Sequence, residues 1–268
     1  MALFSEVLEH AGATTAAVAN RVDLGDITLP QHARMITRVW ATGAIVGTFA
    51  AAQTLSGYIQ IESDDCNIKP FQFPLQPVGG YVTLGGGGVR APIKYVVNCP
   101  CAGGTVLSFY NVADDAVAAS EIQVTVEFSD GGSPFAGGQL HMLCGEPSVA
   151  AGTADDGAVS LTAIEPKASR LVGLVIYGMQ ATLTADCSLC ADWSITSDDF
   201  AQAGPLKGSI IPHIGGDTNT AGSVSELMFQ ELDRPFRVGG QKQTVNCVAT
   251  CRDACAGDGH YNWALIYH

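Results

Sequence analysis

Charge is scarce in this chain, and what there is leans one way. Only 15% of its 268 residues are charged, 26 acidic against 13 basic, giving a formal net charge of −13. A surface with that balance repels phosphate backbones and anionic headgroups, which speaks against direct nucleic-acid binding and against a basic membrane anchor. Long apolar runs are also missing. The most apolar stretch, Ala41 to Ala52, falls short of the roughly 20 residues that cross a bilayer. Residues 1–20 show no basic segment followed by an apolar one, so no signal peptide is expected and the product is expected to stay where it is made until it assembles.

The signatures of common catalysts are absent too. The six histidines, His10, His32, His141, His213, His260 and His268, are isolated. No His-x-His occurs, and a triad of two histidines and a carboxylate needs distant partners. There is no Gly-x-Ser-x-Gly elbow. The run Gly85-Gly-Gly-Gly88 lacks the Lys-Ser/Thr that follows a phosphate loop and reads as a loop tip. Aromatic residues make up 7% of the chain. Trp40 and Trp193 are expected to fill cores rather than to form a sugar platform. Catalytic residues, metal ligands and cofactors are therefore assigned to none, and the chain is expected not to be an enzyme.

Cysteine is the exception to this chemical quiet. There are nine: Cys66, Cys99, Cys101, Cys144, Cys187, Cys190, Cys247, Cys251 and Cys255. Cys187-Ser-Leu-Cys190 has the spacing of a zinc knuckle or a redox pair, and Cys247-x3-Cys251-x3-Cys255 gathers three thiols along one segment. Disulfides within each half, foremost in the Cys247–Cys255 loop, and buried unreactive thiols are the competing readings. One zinc site shared by Cys99-x-Cys101 and Cys247-x3-Cys251 is disfavoured, because those pairs hold matching places in the two halves of the sequence. The pairs Asp64-Asp65 and Asp198-Asp199 close strand candidates, where Ser-Asp-Asp makes a turn more readily than an acid–base dyad.

What the chain does have is β texture. Apolar residues make up 47%, punctuated by 31 glycines and 12 prolines, a pattern of many short strands with tight turns. Strand candidates are Met35–Trp40, Gly57–Ile61, Lys94–Val97, Thr105–Tyr110, Ile122–Phe128, Arg170–Tyr177, Ala191–Thr196, Ser209–Ile214, Arg234–Val238 and Tyr261–Tyr267. Ser129 to Gly157, with seven glycines and Leu140-His-Met-Leu143 as its apolar island, reads as a connection. One helix is expected, over Ala2–Val22, where Leu3, Phe4, Val7, Leu8 and Ala11 fall at helical spacing. It is either an arm that docks on a neighbouring subunit or a helix that closes its own domain.

Short motifs recur in order, each echo about 140 residues after its original. Pro30-x3-Arg34 returns as Pro166-x3-Arg170, and Ser63-Asp-Asp65 as Ser197-Asp-Asp199. Pro77-Val-Gly-Gly80 returns as Pro212-His-Ile-Gly-Gly216, Arg90-Ala-Pro-Ile-Lys94 as Arg234-Pro-Phe-Arg237, and Val97-Asn-Cys99 as Val245-Asn-Cys247. The fold expected is all-β: two tandem eight-stranded jelly-roll β-sandwiches with a short N-terminal helix. Residues 1–26 form the N-terminal helical arm, 27–150 the first jelly roll with its connector, and 151–268 the second.

On these duplicated landmarks the chain resembles the double jelly-roll major capsid proteins, the lineage that includes adenovirus hexons and many tailless icosahedral viruses. The resemblance is architectural and covers residues 27–268. It implies a structural, self-assembling viral major capsid protein whose pseudo-hexagonal homotrimers tile an icosahedral shell. The partners it implies are neighbouring capsid trimers, minor capsid proteins and an internal membrane met through the N-terminal arm, with no direct nucleic acid. The location it implies is the virion, assembled in the host cytoplasm. The alternative is a tandem β-sandwich module that binds carbohydrate or a surface.

Overall fold

The computed structural model describes residues 1–14, 21–46, 53–68, 71–76, 78–80, 91–113, 117–145, 148–149, 157–164, 168–180, 187–188, 191–210, 215–216, 223–224, 227–237, 243–251 and 259–268. Among these residues every regular element is a strand and none is a helix. Residues 1–129 carry β1 (Leu3–Thr14), β2 (Val22–Thr28), β3 (Met35–Ile45), β4 (Gln53–Leu55), β5 (Tyr58–Glu62), β6 (Phe71–Pro74), β7 (Val78–Gly80), β8 (Tyr95–Pro100), β9 (Val106–Val112) and β10 (Val117–Ser129). There follow β11 (His141–Cys144), β12 (Ser148–Val149), β13 (Gly157–Ile164), β14 (Arg170–Gln180), β15 (Cys187–Ser188) and β16 (Ala191–Thr196). The last are β17 (Leu206–Ile210), β18 (Gly215–Gly216), β19 (Ser223–Val224), β20 (Met228–Pro235), β21 (Gln243–Cys251) and β22 (Gly259–Tyr267).

Three large sheets organise them. One has the order β1-β10-β3-β8, and another β13-β21-β16-β17. The third, of ten strands, follows β19-β14-β22-β11-β6-β5-β9-β2, with β12 added to β22 and β20 to β14. The ladders β4·β7 and β15·β18 stand apart as two-stranded sheets. All pairings are antiparallel except the single parallel bridge Met142↔Phe71 that joins β11 to β6. The alternation visible in the sequence is what each sheet uses. In β10, Ile122, Val124, Val126 and Phe128 are buried on one face, as expected of strands with one face on a core.

Pairings in residues 1–129 recur in residues 141–268. β2·β9, β3·β10, β3·β8, β5·β6 and β5·β9 are matched by β13·β21, β14·β22, β14·β20, β16·β17 and β16·β21. Even an irregularity repeats. The ladders of β3 with both neighbours skip Thr37, and those of β14 with both neighbours skip Val172, a bulge that twists the strand locally. On the β8 side of the first bulge Asn98 sits at φ 52°, left-handed backbone that asparagine tolerates better than most residues. Gly57 is required at its place, since it has φ +106° and a Cβ there would lie 2.0 Å from the Val112 carbonyl oxygen.

Two apolar cores form between the sheets. One gathers Ile36, Val39, Ile59, Phe71, Phe73, Leu107, Phe109, Val124 and their neighbours, and extends to Val175, Ala264 and Ile266 of the later strands. The other holds Leu171, Leu174, Ile176, Trp193, Ile195, Trp263, Leu265 and Tyr267. Strand β22 therefore serves both: Ala264 and Ile266 face the first core, Trp263, Leu265 and Tyr267 the second. This explains the unbroken apolar run Trp263–Tyr267 at its end, since a segment buried on both faces has no polar side to show. Each large side chain buried this way contributes about 1.5–3 kcal/mol.

The helix expected over Ala2–Val22 is not formed. Leu3–Thr14 is an edge strand laddered to β10 from Leu3↔Ser129 to Gly12↔Ser120, Val22 opens β2, and residues 15–20 lie outside the described set. The spacing of Leu3, Phe4, Val7 and Leu8 suits a helix, but a short isolated helix is marginal in water, whereas the open edge of β10 pairs the side of the β1 backbone that faces it. Of the island Leu140–Leu143, read as part of a connection, His141 to Leu143 belong to β11, which pairs with β22 from His141↔Tyr267 to Cys144↔Ala264.

Candidate functional site

The paired aspartates are turns, built the same way twice. Ser63 Oγ donates to the Val106 carbonyl oxygen (2.7 Å) and accepts from the Asp65 amide (3.1 Å), while the Val106 amide donates to Asp65 Oδ2 (2.9 Å). Ser197 Oγ donates to the Thr244 carbonyl oxygen (2.6 Å) and accepts from the Asp199 amide (3.1 Å), and the Thr244 amide donates to Asp199 Oδ2 (3.2 Å). Both clamps tie a strand end to the strand beside it, so the side-chain oxygens are committed to backbone.

These clamps also fix which landmarks correspond. Val106 of β9 matches Thr244 of β21, so Cys247, which faces Ile195, matches Phe109, which faces Ile61. The Val-Asn-Cys echo therefore does not mark equivalent places: Cys99 lies in β8, Cys247 in β21. The Gly-Gly echo does, with Gln53↔Gly80 and Thr54↔Gly79 answered by Cys187↔Gly216 and Ser188↔Gly215. Arg234 faces Leu171 as Cys99 faces Ile36, so it matches Cys99. Arg90 and the run Gly85–Gly88 lie outside the described residues.

Cysteines converge at one place. Cys66, in the turn after β5, packs against the core that holds Cys99 of β8, whose thiol donates to the Pro100 carbonyl oxygen at 3.5 Å. The Cys99 thiol, then the Ser63 hydroxyl and the Ile68 backbone, hold Cys66 down to about 7 against the opposing effect of burial. Cys99, beside it and fully buried, is pushed far up by the neighbouring Cys66 thiol and by burial. Cys101 is pushed up to about 11 by burial and by the charge of Cys66. Cys247 is buried in the second core and raised by burial. It does not join Cys99, which belongs to the first core. Cys190 and Cys255 lie outside the described residues, and with them the tests of the Cys187–Cys190 and Cys247–Cys255 readings.

Among the described residues the histidines do not gather. His32 is exposed and stacks edge-on against Phe4 at 4.5 Å, and His141 stacks on Tyr267 at 5.6 Å. His213 lies outside the described residues. Among the described residues no group of three or more His, Cys, Asp or Glu is arranged to hold a metal ion. Trp193 is buried, and half-buried Trp40 lies under the Lys94 ammonium at 4.5 Å.

Among the described residues, two surfaces stand open. One is β1, bonded to β10 on one side, which exposes Leu3, Phe4 and Val7. The other is an apolar cleft of about 460 Å³ where β8 meets β14, β20 and β22. Phe71, Tyr95, Met142, Phe229 and Ile266 line it, together with the exposed Lys94 and Glu231. The Tyr95 hydroxyl is buried without a hydrogen-bond partner, and burial holds it protonated. Such a cleft accepts apolar groups, with one cation and one carboxylate at its exposed side.

No protein-family model matches the chain, and no curated protein does. Solved structures do resemble it. PNGF-II matches with TM-score 0.48 and 8% identity over 97% of this chain, which spans 65% of the length of that one. PNGase F, a glycosylasparaginase from Flavobacterium meningosepticum, matches with TM-score 0.48 and 10% identity over 100% of this chain and 96% of that one. The major capsid protein P2 from bacteriophage PM2 matches with TM-score 0.35 and 7% identity over 98% of this chain and 97% of that one. The expectation that the chain is not an enzyme is corrected here. A glycosylasparaginase stands beside a capsid protein among the structures it resembles.

Proposed function

We propose that the chain is a viral major capsid protein built from two tandem eight-stranded jelly rolls, the division falling between β10 and β11. The observation that carries this reading is the strand order. β1-β10-β3-β8 facing β2-β9-β5-β6 has the two-sheet order of a jelly roll, and β11-β22-β14-β20 with β13-β21-β16-β17 has it again. A sandwich of this kind limits exposed edges. Two of them side by side, repeated by a threefold axis, give six lobes and a nearly hexagonal outline that tiles large shells.

The acidic surface fits a protein that meets its own kind and leaves nucleic acid to others. The exposed apolar residues Leu3 and Val7 of β1 and Phe229 of β20 suit burial between subunits, where an obligate interface commonly exceeds about 2,000 Å². Closed rotational symmetry is the expected form of the assembly. Light scattering on the purified chain, combined with negative-stain microscopy, tests the reading. A stable trimer that grows into closed particles is expected. A monomer that stays monomeric at high concentration and high salt overturns it.

A further inference from the structure

The cleft between β8 and the later strands is apolar nearly throughout, yet one polar group in its lining is left unsatisfied. Phe71 of β6 and Tyr95 of β8 come from the first part of the chain. Met142 of β11, Val172 of β14, Phe229 of β20 and Ile266 of β22 come from the second. At about 460 Å³ the space falls in the usual range of small-molecule sites, roughly 300–1,000 Å³. Gly173 gives two of these side chains their room. A Cβ there would lie 3.1 Å from Ile266 and 3.3 Å from the Phe229 ring, and would press on both. Tyr95 is 4% exposed, and its hydroxyl is buried without a hydrogen-bond partner, which is costly. Water is a poor remedy, because a buried water needs about two to four polar partners. Among the described residues no other side chain lining the cleft carries a buried, unpartnered polar atom. The charges in the lining are one ammonium, Lys94, and one carboxylate, Glu231. They cancel, so the entrance selects neither an anion nor a cation.

We propose that this cleft is a binding site for a small, uncharged, apolar molecule carrying one acceptor oxygen, which takes the hydrogen bond of the Tyr95 hydroxyl. The apolar lining supplies most of the affinity through burial, and the single polar contact fixes orientation. A purely hydrocarbon ligand would fill the space but leave the hydroxyl unpaired, and so binds less well. Because the lining draws on both parts of the chain, the ligand meets its complete site only in the folded molecule and stabilises that form. The site lies within one chain and stands independently of the assembly reading.

Benzophenone is the probe: uncharged, apolar, with one carbonyl, and able to bond to a neighbouring C–H group under near-ultraviolet light. Titrated calorimetrically into the dilute full chain, it should bind saturably, one molecule per chain. Diphenylmethane, the same body without the carbonyl, should bind roughly fivefold less tightly, the worth of one ordinary hydrogen bond. In Tyr95→Phe that preference should vanish. The variant should fold as well as the parent, since the hydroxyl it loses has no partner. Phe229→Ala, a change at a side chain 46% exposed, should weaken both probes alike. After irradiation, mass mapping should find the adduct on peptides carrying Leu140, Met142 or Phe229. Absence of saturable binding, an unchanged preference in Tyr95→Phe, or an adduct away from the cleft overturns the proposal. So does binding that disappears as light scattering shows the chain associating with itself, which assigns the cleft to a second copy. A chain that never assembles but binds the probe as described sinks only the capsid reading.

Discussion

Glu127 shows how a single side chain can make stability depend on pH. It is nearly buried beside the β3 bulge, accepting from Arg38 Nε (2.9 Å), from the second Arg38 nitrogen (2.7 Å) and from the Thr37 hydroxyl (3.0 Å). Burial works against its ionisation, but these donors outweigh it and hold the carboxyl below its ordinary value. A carboxyl depressed in the folded state contributes stability that is complete above its unfolded value of about 4.3. That contribution is lost as pH falls through the lower folded value. Glu127→Gln should cost about 1–3 kcal/mol at neutral pH and flatten the acid limb of a urea-unfolding series. An unchanged acid limb would contradict this. Asn98 makes a second case at this scale. With φ 52° and hydrogen bonds to Ser133 and the Gly138 carbonyl, it should be replaced with less loss by glycine than by alanine. Alanine adds about 1–2 kcal/mol of left-handed strain to the lost bonds, and chemical denaturation of the two variants ranks them.

Among the elements, β1 departs furthest from its sequence-based expectation, and its removal is informative. Excising residues 1–14 strips β10 of eleven paired positions from Leu3 to Thr14 and uncovers the Phe4–Phe128 stack at 5.6 Å. We expect a loss of roughly 3 kcal/mol or more, on the scale of two or three apolar side chains returned to water, seen as a lower thermal midpoint. An arm that only docked on neighbours would leave the midpoint unchanged. Leu3→Ser and Val7→Ser, by contrast, alter side chains already 45% and 49% exposed and should stay within about 0.5 kcal/mol. The same elements show what the sequence made legible. Strands with one wet face, such as β3, β10 and β16, announced themselves by alternation. β1 did not, because an edge strand exposed on both faces carries no strict period. β20, Met228–Pro235, was caught only at its end, since its exposed Gln230, Glu231 and Asp233 look like a loop. The Ser-Asp-Asp echo held because hydrogen-bond geometry requires those residues. Val-Asn-Cys did not, because nothing in β8 and β21 demands it. The nearness of Cys66 to the core position of Cys99 stayed hidden, as one lies on a turn and the other on a strand of another sheet.

At the scale of the whole molecule, the two cores share strand β22 and the ten-stranded sheet passes from β6 to β11 through Met142↔Phe71. Unfolding should therefore be one event. Calorimetry should give a single peak, and tryptophan emission, with Trp40 in β3 and Trp193 and Trp263 in the second core, should change along the same curve. Two separated transitions would show that each part stands alone. Ile266→Ala, which hollows the side of β22 turned toward the first core, should lower that common transition by about 2–4 kcal/mol. The sheet that crosses the seam has a mechanical corollary. A tug on the amino end is carried across to the carboxyl end without a swivel between them, so the molecule should answer a stretching force with one rupture rather than a staircase of two.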